Sequence, residues 1–287
     1  MRFVATMFLW IVTTALLAVA VPTMWMQRNV VSEDGYAALA AAAAHDPKLQ
    51  RAMASELTTH IIEFAAANGY RTLNRDLVSG VVTSYTGNDG FPRQFAQANR
   101  IAHRWMFTDS VQPADGSDNR WLVDIAPMLN DPSIKQTLGD LDLDVPQTLT
   151  VPIAVPEASS LQPGQLRWLS TWGPWVSVGS TILAGISALF MLASTRSRGK
   201  GLVALGVSAL LVGAAGWAAL EVAQRYVDNA LNQTAGDIRQ VADVMVAQAD
   251  LSMHHWLNLT LAAGGVLVVF GVAVSLLGGL RRREQGV

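Results

Sequence analysis

The chain has 287 residues, of which 51% are hydrophobic and only 15% charged, whereas an ordinary soluble domain carries about 25% charged residues. It contains no cysteine, which excludes a disulfide framework, a thiolate zinc site and iron–sulfur ligation. With 20 basic against 22 acidic residues there is no basic footprint for nucleic acid.

Residues 1–27 read as a first transmembrane anchor. Phe3 to Gln27 holds no Asp, Glu, Lys or Arg, and its 25 residues are enough to cross a hydrocarbon core of about 30 Å. Ala18-Val19-Ala20 behind an apolar run also fits a signal-peptide cleavage pattern. The apolar stretch continues through Val21, Met24, Trp25 and Met26, which favours an uncleaved span.

Residues 28–167 read as one outer domain, mostly helical with an α+β class. An alanine-rich helix covers Tyr36 to Ala44. Asp46-Pro47 then opens a longer helix to about Asn68-Gly69, with Asp as cap, Pro in the first turn and Gly past the end. Leu49, Met53, Leu57, Ile61 and Phe64 make its apolar face. Further helices are predicted from Asn74 to Tyr85, from Pro92 to Phe107 and from Pro132 to Leu141. Strands are predicted at Trp121 to Ala126 and Thr148 to Val155, the second confined to an edge by its prolines. Pro156 to Gly164 reads as the linker into the next span.

The second and third spans, residues 168–195 and 201–220, enclose a tight turn at 196–200, and a fourth span covers 256–280 before a tail at 281–287. Between the third and fourth spans, residues 221–255 would reach about 52 Å as one helix and must fold back. Asn232 to Gly236 supplies the break, and Asp237 with Gln240 has capping-box spacing. Apolar stripes Leu220, Ala223, Val227, Leu231 and Ile238, Val241, Met245, Ala249 predict a helical hairpin packed against the outer domain; a helix lying flat on the headgroups is the alternative. Glycines at seven-residue intervals, Gly206 and Gly213 in the third span and Gly264 or Gly265 with Gly271 and Gly278 in the fourth, mark faces where backbones approach.

Charge sets the topology. Arg2, Arg196, Arg198, Lys200 and Arg281 to Arg283 oppose a single acid, Glu284, on one side, whereas residues 28–167 carry 11 basic and 16 acidic groups. Short cytoplasmic loops are positive, so both termini are expected inside and the large domain outside. Trp168, Trp172, Trp175 and Trp256 stand at the expected outer boundaries, where amphipathic rings prefer to sit.

Candidate chemistry is sparse. Glu56, His60 and Glu63 share a helical strip but border an apolar face and have no counterpart on a second element, so they read as a polar flank. His254 and His255 are splayed about 100° apart on a helix, and His45 complements a helix dipole. No nucleophile elbow or glycine-rich phosphate loop occurs. No catalytic residue, metal site or cofactor is assigned. The more informative group is Asn99, Arg100 and His103 on one helix, with Asp124 on a strand. An Arg100–Asp124 ion pair would pin the helix to the strand, and a binding site made of Asn99, Arg100, His103 and Asp124 is the functional alternative.

Phe95, Ala98, Asn99, Arg100, Ala102 and His103, followed by Val123-Asp124-Ile125-Ala126-Pro127, resemble a motif of uncharacterised actinobacterial four-span integral membrane proteins. Phe95 stands where that group carries tryptophan, and Asp124 directly follows Val123. The resemblance covers residues 70–280 in order of elements. It implies the architecture and an actinobacterial source and brings no activity with it. The expectation is therefore a mainly α membrane protein with four transmembrane helices, a mostly helical α+β extracytoplasmic domain and an extracytoplasmic helical hairpin. Its outer domain is expected to be a noncatalytic binding module whose partners are the bilayer and another envelope protein or a lipid or glycan component. An extracytoplasmic enzyme and an accessory subunit of a transporter or channel are the alternatives.

Overall fold

Helix follows helix in the computed structural model, which describes residues 2–67, 74–108, 120–124, 150–154, 164–195, 197–232 and 236–284. The elements are α1 (Arg2–Met26) running into a π-helical turn (Gln27–Val31), α2 (Glu33–Ala43), α3 (Pro47–Ala67), α4 (Arg75–Thr86), α5 (Phe91–Phe107), β1 (Arg120–Asp124), β2 (Thr150–Ala154), α6 (Arg167–Ser194), α7 (Arg198–Leu231) and α8 (Gly236–Glu284). They divide into two compact units, one of residues 1–28, 170–229 and 250–287, the other of residues 29–169 and 230–249. The expected helix at 132–141 and the linker at 156–164 lie outside the described residues.

Among the described residues four helices are long and apolar enough to cross a membrane: Val4–Val31, Arg167–Ser194, Arg198–Leu231 and Gly236–Leu277. The helices do not stop where the charge-free windows stop. α7 continues past Glu221 to Leu231, and α8 is a single helix of 49 residues that begins at Gly236. A charged side chain does not break a helix; a residue in the left-handed region interrupts one. Gly236, with φ +68°, is such a residue, and glycine occupies that region without steric cost. Because α8 starts there, Asp237 falls in its first turn rather than at a cap, where its carboxylate still complements the helix dipole.

Within the first unit α7 and α8 run antiparallel at glycine-limited distance. A Cβ on Gly206 would lie 2.7 Å from the Gly264 carbonyl oxygen and 2.8 Å from the Val268 nitrogen. One on Gly271 would lie 2.8 Å from the Gly199 carbonyl oxygen, and one on Gly213 2.6 Å from Leu261. One glycine of each repeat thus meets the other, Gly206 against Gly264, while Gly271 meets Gly199 and Gly213 packs on Leu261. Such close approach is how helices associate where lipid removes the hydrophobic advantage of burying large side chains. α1 joins by polar contacts: Thr13 donates to Ser187 on α6 at 2.9 Å, and Thr14 and Ser208 on α7 share a hydrogen bond of 2.8 Å. Trp10 Nε1 donates to the Ala204 carbonyl at 3.0 Å, and Trp25 Nε1 to Ser252 on α8 at 3.1 Å. Trp172 and Trp175 are exposed on neighbouring positions of one α6 face, outside this helix contact.

The second unit has a helical core. Ala40, Ala43 and Ala44 let Leu49, Tyr85, Phe91 and Phe95 close over α2, and Val244 completes the buried cluster, with Met53, Leu57, Val241 and Met245 at its fringe. Full burial of a side chain such as Leu49 or Phe91 is worth about 1.5–3 kcal/mol. On α8 the buried stripe is Val241, Val244 and Met245, while Ile238 is exposed, so the packed face is rotated from the expected one. Ile61, expected on the apolar face of α3, is likewise exposed.

The α+β expectation is corrected. Among the described residues the packing layers of this unit are helices. The extended segments amount to one antiparallel ribbon, β1 with β2, in the register Trp121 opposite Ile153 and Asp124 opposite Thr150. A two-stranded ribbon supplies no sheet layer and is marginal by itself. Alternating valine and isoleucine with proline, as in Thr150–Ala154, makes an extended chain that pairs with one neighbour and builds no wider sheet among the described residues.

Candidate functional site

The motif residues Asn99, Arg100 and His103 lie on α5, which Gly90 and Pro92 open and which buries Phe91, Phe95, His103, Trp105 and Phe107. Its partner is α2. There Ser32 caps the helix by accepting from the Gly35 nitrogen at 3.3 Å, and Glu33 and Asp34 occupy the first turn. Acids are favoured at that end by the helix dipole, and they are also what α5 binds.

Arg100 pairs with Asp34 and lies 3.9 Å from Glu33. Arg104, one turn on, pairs with Glu33 at 3.1 Å. Among the described residues the carboxylates that Arg100 meets belong to α2. Asp124 has its backbone in β1, opposite Thr150, and its side chain lies outside the described residues. Arg100 thus fastens α5 to α2 through Asp34, a residue 66 positions earlier in the chain. The Asp34 side chain is 86% exposed, so water screens the pair and it contributes about 1 kcal/mol or less. Asn99 is engaged on its own helix, its amide donating to the Phe95 carbonyl at 2.9 Å.

His103 is the buried member of the group, 4% exposed. Its ring stacks on Phe107, with centroids 4.2 Å apart and planes 14° apart, and meets Tyr36 of α2 at 5.5 Å. Nε2 lies 3.0 Å from the Val30 carbonyl oxygen, so it carries the proton and donates. Burial holds the imidazole pKa below its ordinary value, opposed by the Val30 hydrogen bond and by the charge of Glu33. Burial likewise raises the pKa of Tyr36.

A polar group that sequence reasoning missed lies in the first unit. His254 Nδ1 is 3.1 Å from the Asp250 carboxylate, Gln224 of α7 donates to that carboxylate at 2.9 Å, and the His254 ring meets Trp217 edge-on at 4.0 Å. Its signal was the antiparallel register of α7 and α8, which no local motif announces. His255 is exposed and apart from it. Glu56 and Glu63 flank His60 at 3.0 and 3.6 Å on an exposed surface, and among the described residues no group of three ligands is placed to hold a metal ion.

Fold and sites together define a chain with four helices able to span a membrane and a second, helical unit fastened by ion pairs. No family model, characterised protein or solved structure matches it.

Proposed function

We propose that the chain is a multi-pass protein of the cell membrane of an actinobacterium, with both termini cytoplasmic. Residues 28–167 then form an extracytoplasmic interaction module, without catalytic function, that binds another envelope protein or a lipid or glycan component. The observation that carries the module reading is the use made of the polar groups on α5. Arg100 and Arg104 are engaged with Asp34 and Glu33, and His103 with the Val30 carbonyl. The groups best suited to chemistry hold helices together, which leaves an outer surface for binding. The orientation is supported by seven basic groups against Glu284 on the inner side and an acidic balance in residues 28–167. An accessory role in a transporter or channel is the second reading, favoured by the Asp250–His254 pair on an apolar helix.

The chain lacks cysteine, so single cysteines report sidedness cleanly. Cysteines at Asp115 and Asp237 are expected to react with an impermeant maleimide in intact cells and one at Lys200 only after permeabilisation. Lys200 is exposed, whereas a side chain on Gly199 would strike the Gly271 and Ser275 backbone. Labelling at Lys200 alone would invert the orientation. Crosslinking from Asp115 in native membranes followed by mass spectrometry is expected to capture one recurrent envelope component. A defect in ion flux on Asp250→Asn, with no crosslinked component, would favour the second reading.

A further inference from the structure

The π-helical turn at Gln27–Val31 ends in Val31, and Ser32 starts a new helix with its own cap. The last carbonyls before such a restart have no partner within their own helix. A buried carbonyl left that way costs free energy comparable to a lost hydrogen bond. At Val30 a donor comes from His103 on α5, a chain separation of 73 residues. It is the most deeply buried ionisable side chain among the described residues of this unit. We infer that His103 is an acid-sensitive latch: in its neutral form it closes α5 onto the π-turn and the start of α2, and a second proton on the ring releases that closure.

Phe107 stacks on the ring and Tyr36 meets it at 5.5 Å, so an imidazolium there gives up hydration, against which it keeps the Val30 hydrogen bond and gains the attraction of Glu33. The charged and titratable neighbours come from two elements. From α2 there are Glu33, which attracts an imidazolium, Asp34 and the Tyr36 phenol; from α5 there are Arg100 and Arg104, which repel it. Glu33 is already shared by the two arginines, which blunts its pull on His103. The π-turn adds the Val30 and Val31 backbone, which favours the proton, and the burial of the ring outweighs it. The closed state therefore binds the second proton less readily than the open state. Closure is fully held above the ordinary imidazole value of 6.5 and is lost as pH falls from there through the depressed value of the closed state.

The test is hydrogen exchange by mass spectrometry on the full chain in lipid nanodiscs. Peptides covering residues 27–36 and 99–107 are followed from pH 7.5 to 5, with labelling times scaled to cancel intrinsic exchange. Wild type is expected to lose protection in both segments across this range. His103→Phe, which keeps the ring stack and removes the titration, is expected to show pH-independent protection. In Glu33→Gln, which removes the Arg104 partner as well as the charge favouring the imidazolium, protection is already lower at pH 7.5, and the further loss between pH 7.5 and 5 exceeds that of wild type. Protection in wild type that stays constant to pH 5 overturns the latch. So does a loss in Glu33→Gln no larger than in wild type, a result that stands even if His103→Phe fails to fold.

Discussion

Gly264 and Gly265 are neighbours on α8 with opposite surroundings, and this makes the glycine interface testable by a matched pair. A Cβ added at Gly265 meets nothing within 4 Å. One added at Gly264 would lie 2.9 Å from the Gly206 carbonyl oxygen, 3.0 Å from the Leu210 nitrogen and 3.1 Å from the Ala209 Cβ. The reciprocal change at Gly206 is tighter, with three atoms at 2.7 to 2.8 Å, two of them backbone. Backbone does not swing aside as a flexible side chain does, so α7 and α8 must part by several tenths of an ångström. That strains the Gly199–Gly271 contact as well, where a Cβ already has 2.6 to 2.9 Å. Overpacking of this kind costs about 1–3 kcal/mol. Replacing glycine by alanine in a helix returns up to about 1 kcal/mol. Gly206→Ala and Gly264→Ala are thus expected to destabilise by up to about 2 kcal/mol, and Gly265→Ala to stabilise by up to about 1 kcal/mol. The assay is reversible unfolding in mixed micelles, followed by the fluorescence of the nine tryptophans. Equal shifts for Gly264→Ala and Gly265→Ala would refute the close-packed interface.

The Arg104–Glu33 pair should give a double-mutant coupling of about 0.2–1 kcal/mol, because both side chains are partly solvated; a coupling above about 2 kcal/mol would mean a desolvated pair. Thr13→Val and Ser187→Ala should each cost about 0.6 kcal/mol, the usual worth of an interhelical hydrogen bond in a membrane, and show no additivity together. Because α1 is bound by Thr13, Thr14, Trp10 and Trp25 to three other helices, mass spectrometry of the purified protein should find Phe3 to Gln27 retained. A mature N-terminus at Val21 would show cleavage after Ala20 instead.

The sequence by itself determined the apolar helices, because a charge-free window of 20 to 30 residues has one low-energy solution in hydrocarbon, a helix with its backbone bonds satisfied internally. It also determined α3, α4 and α5, whose ends carry local punctuation: Asp46-Pro47, the Asn74 cap that accepts from the Asp76 nitrogen at 2.8 Å, and Gly90 with Pro92. The glycine repeats were legible for the same reason, since spacing along one helix fixes which residues share its face. Tertiary structure alone decided the rest. The partner of Arg100 proved to be Asp34, 66 residues away, and Asp250 gathered Gln224 and His254 through the register of two helices. A side chain's chemistry says which partner it accepts, but distance in sequence says nothing about which acceptable partner packing brings within 3 Å. That choice belongs to the core: the small face of Ala40, Ala43 and Ala44 lets Phe91 and Phe95 lie on α2, and that packing sets Arg100 against Asp34 and His103 against the carbonyl of Val30.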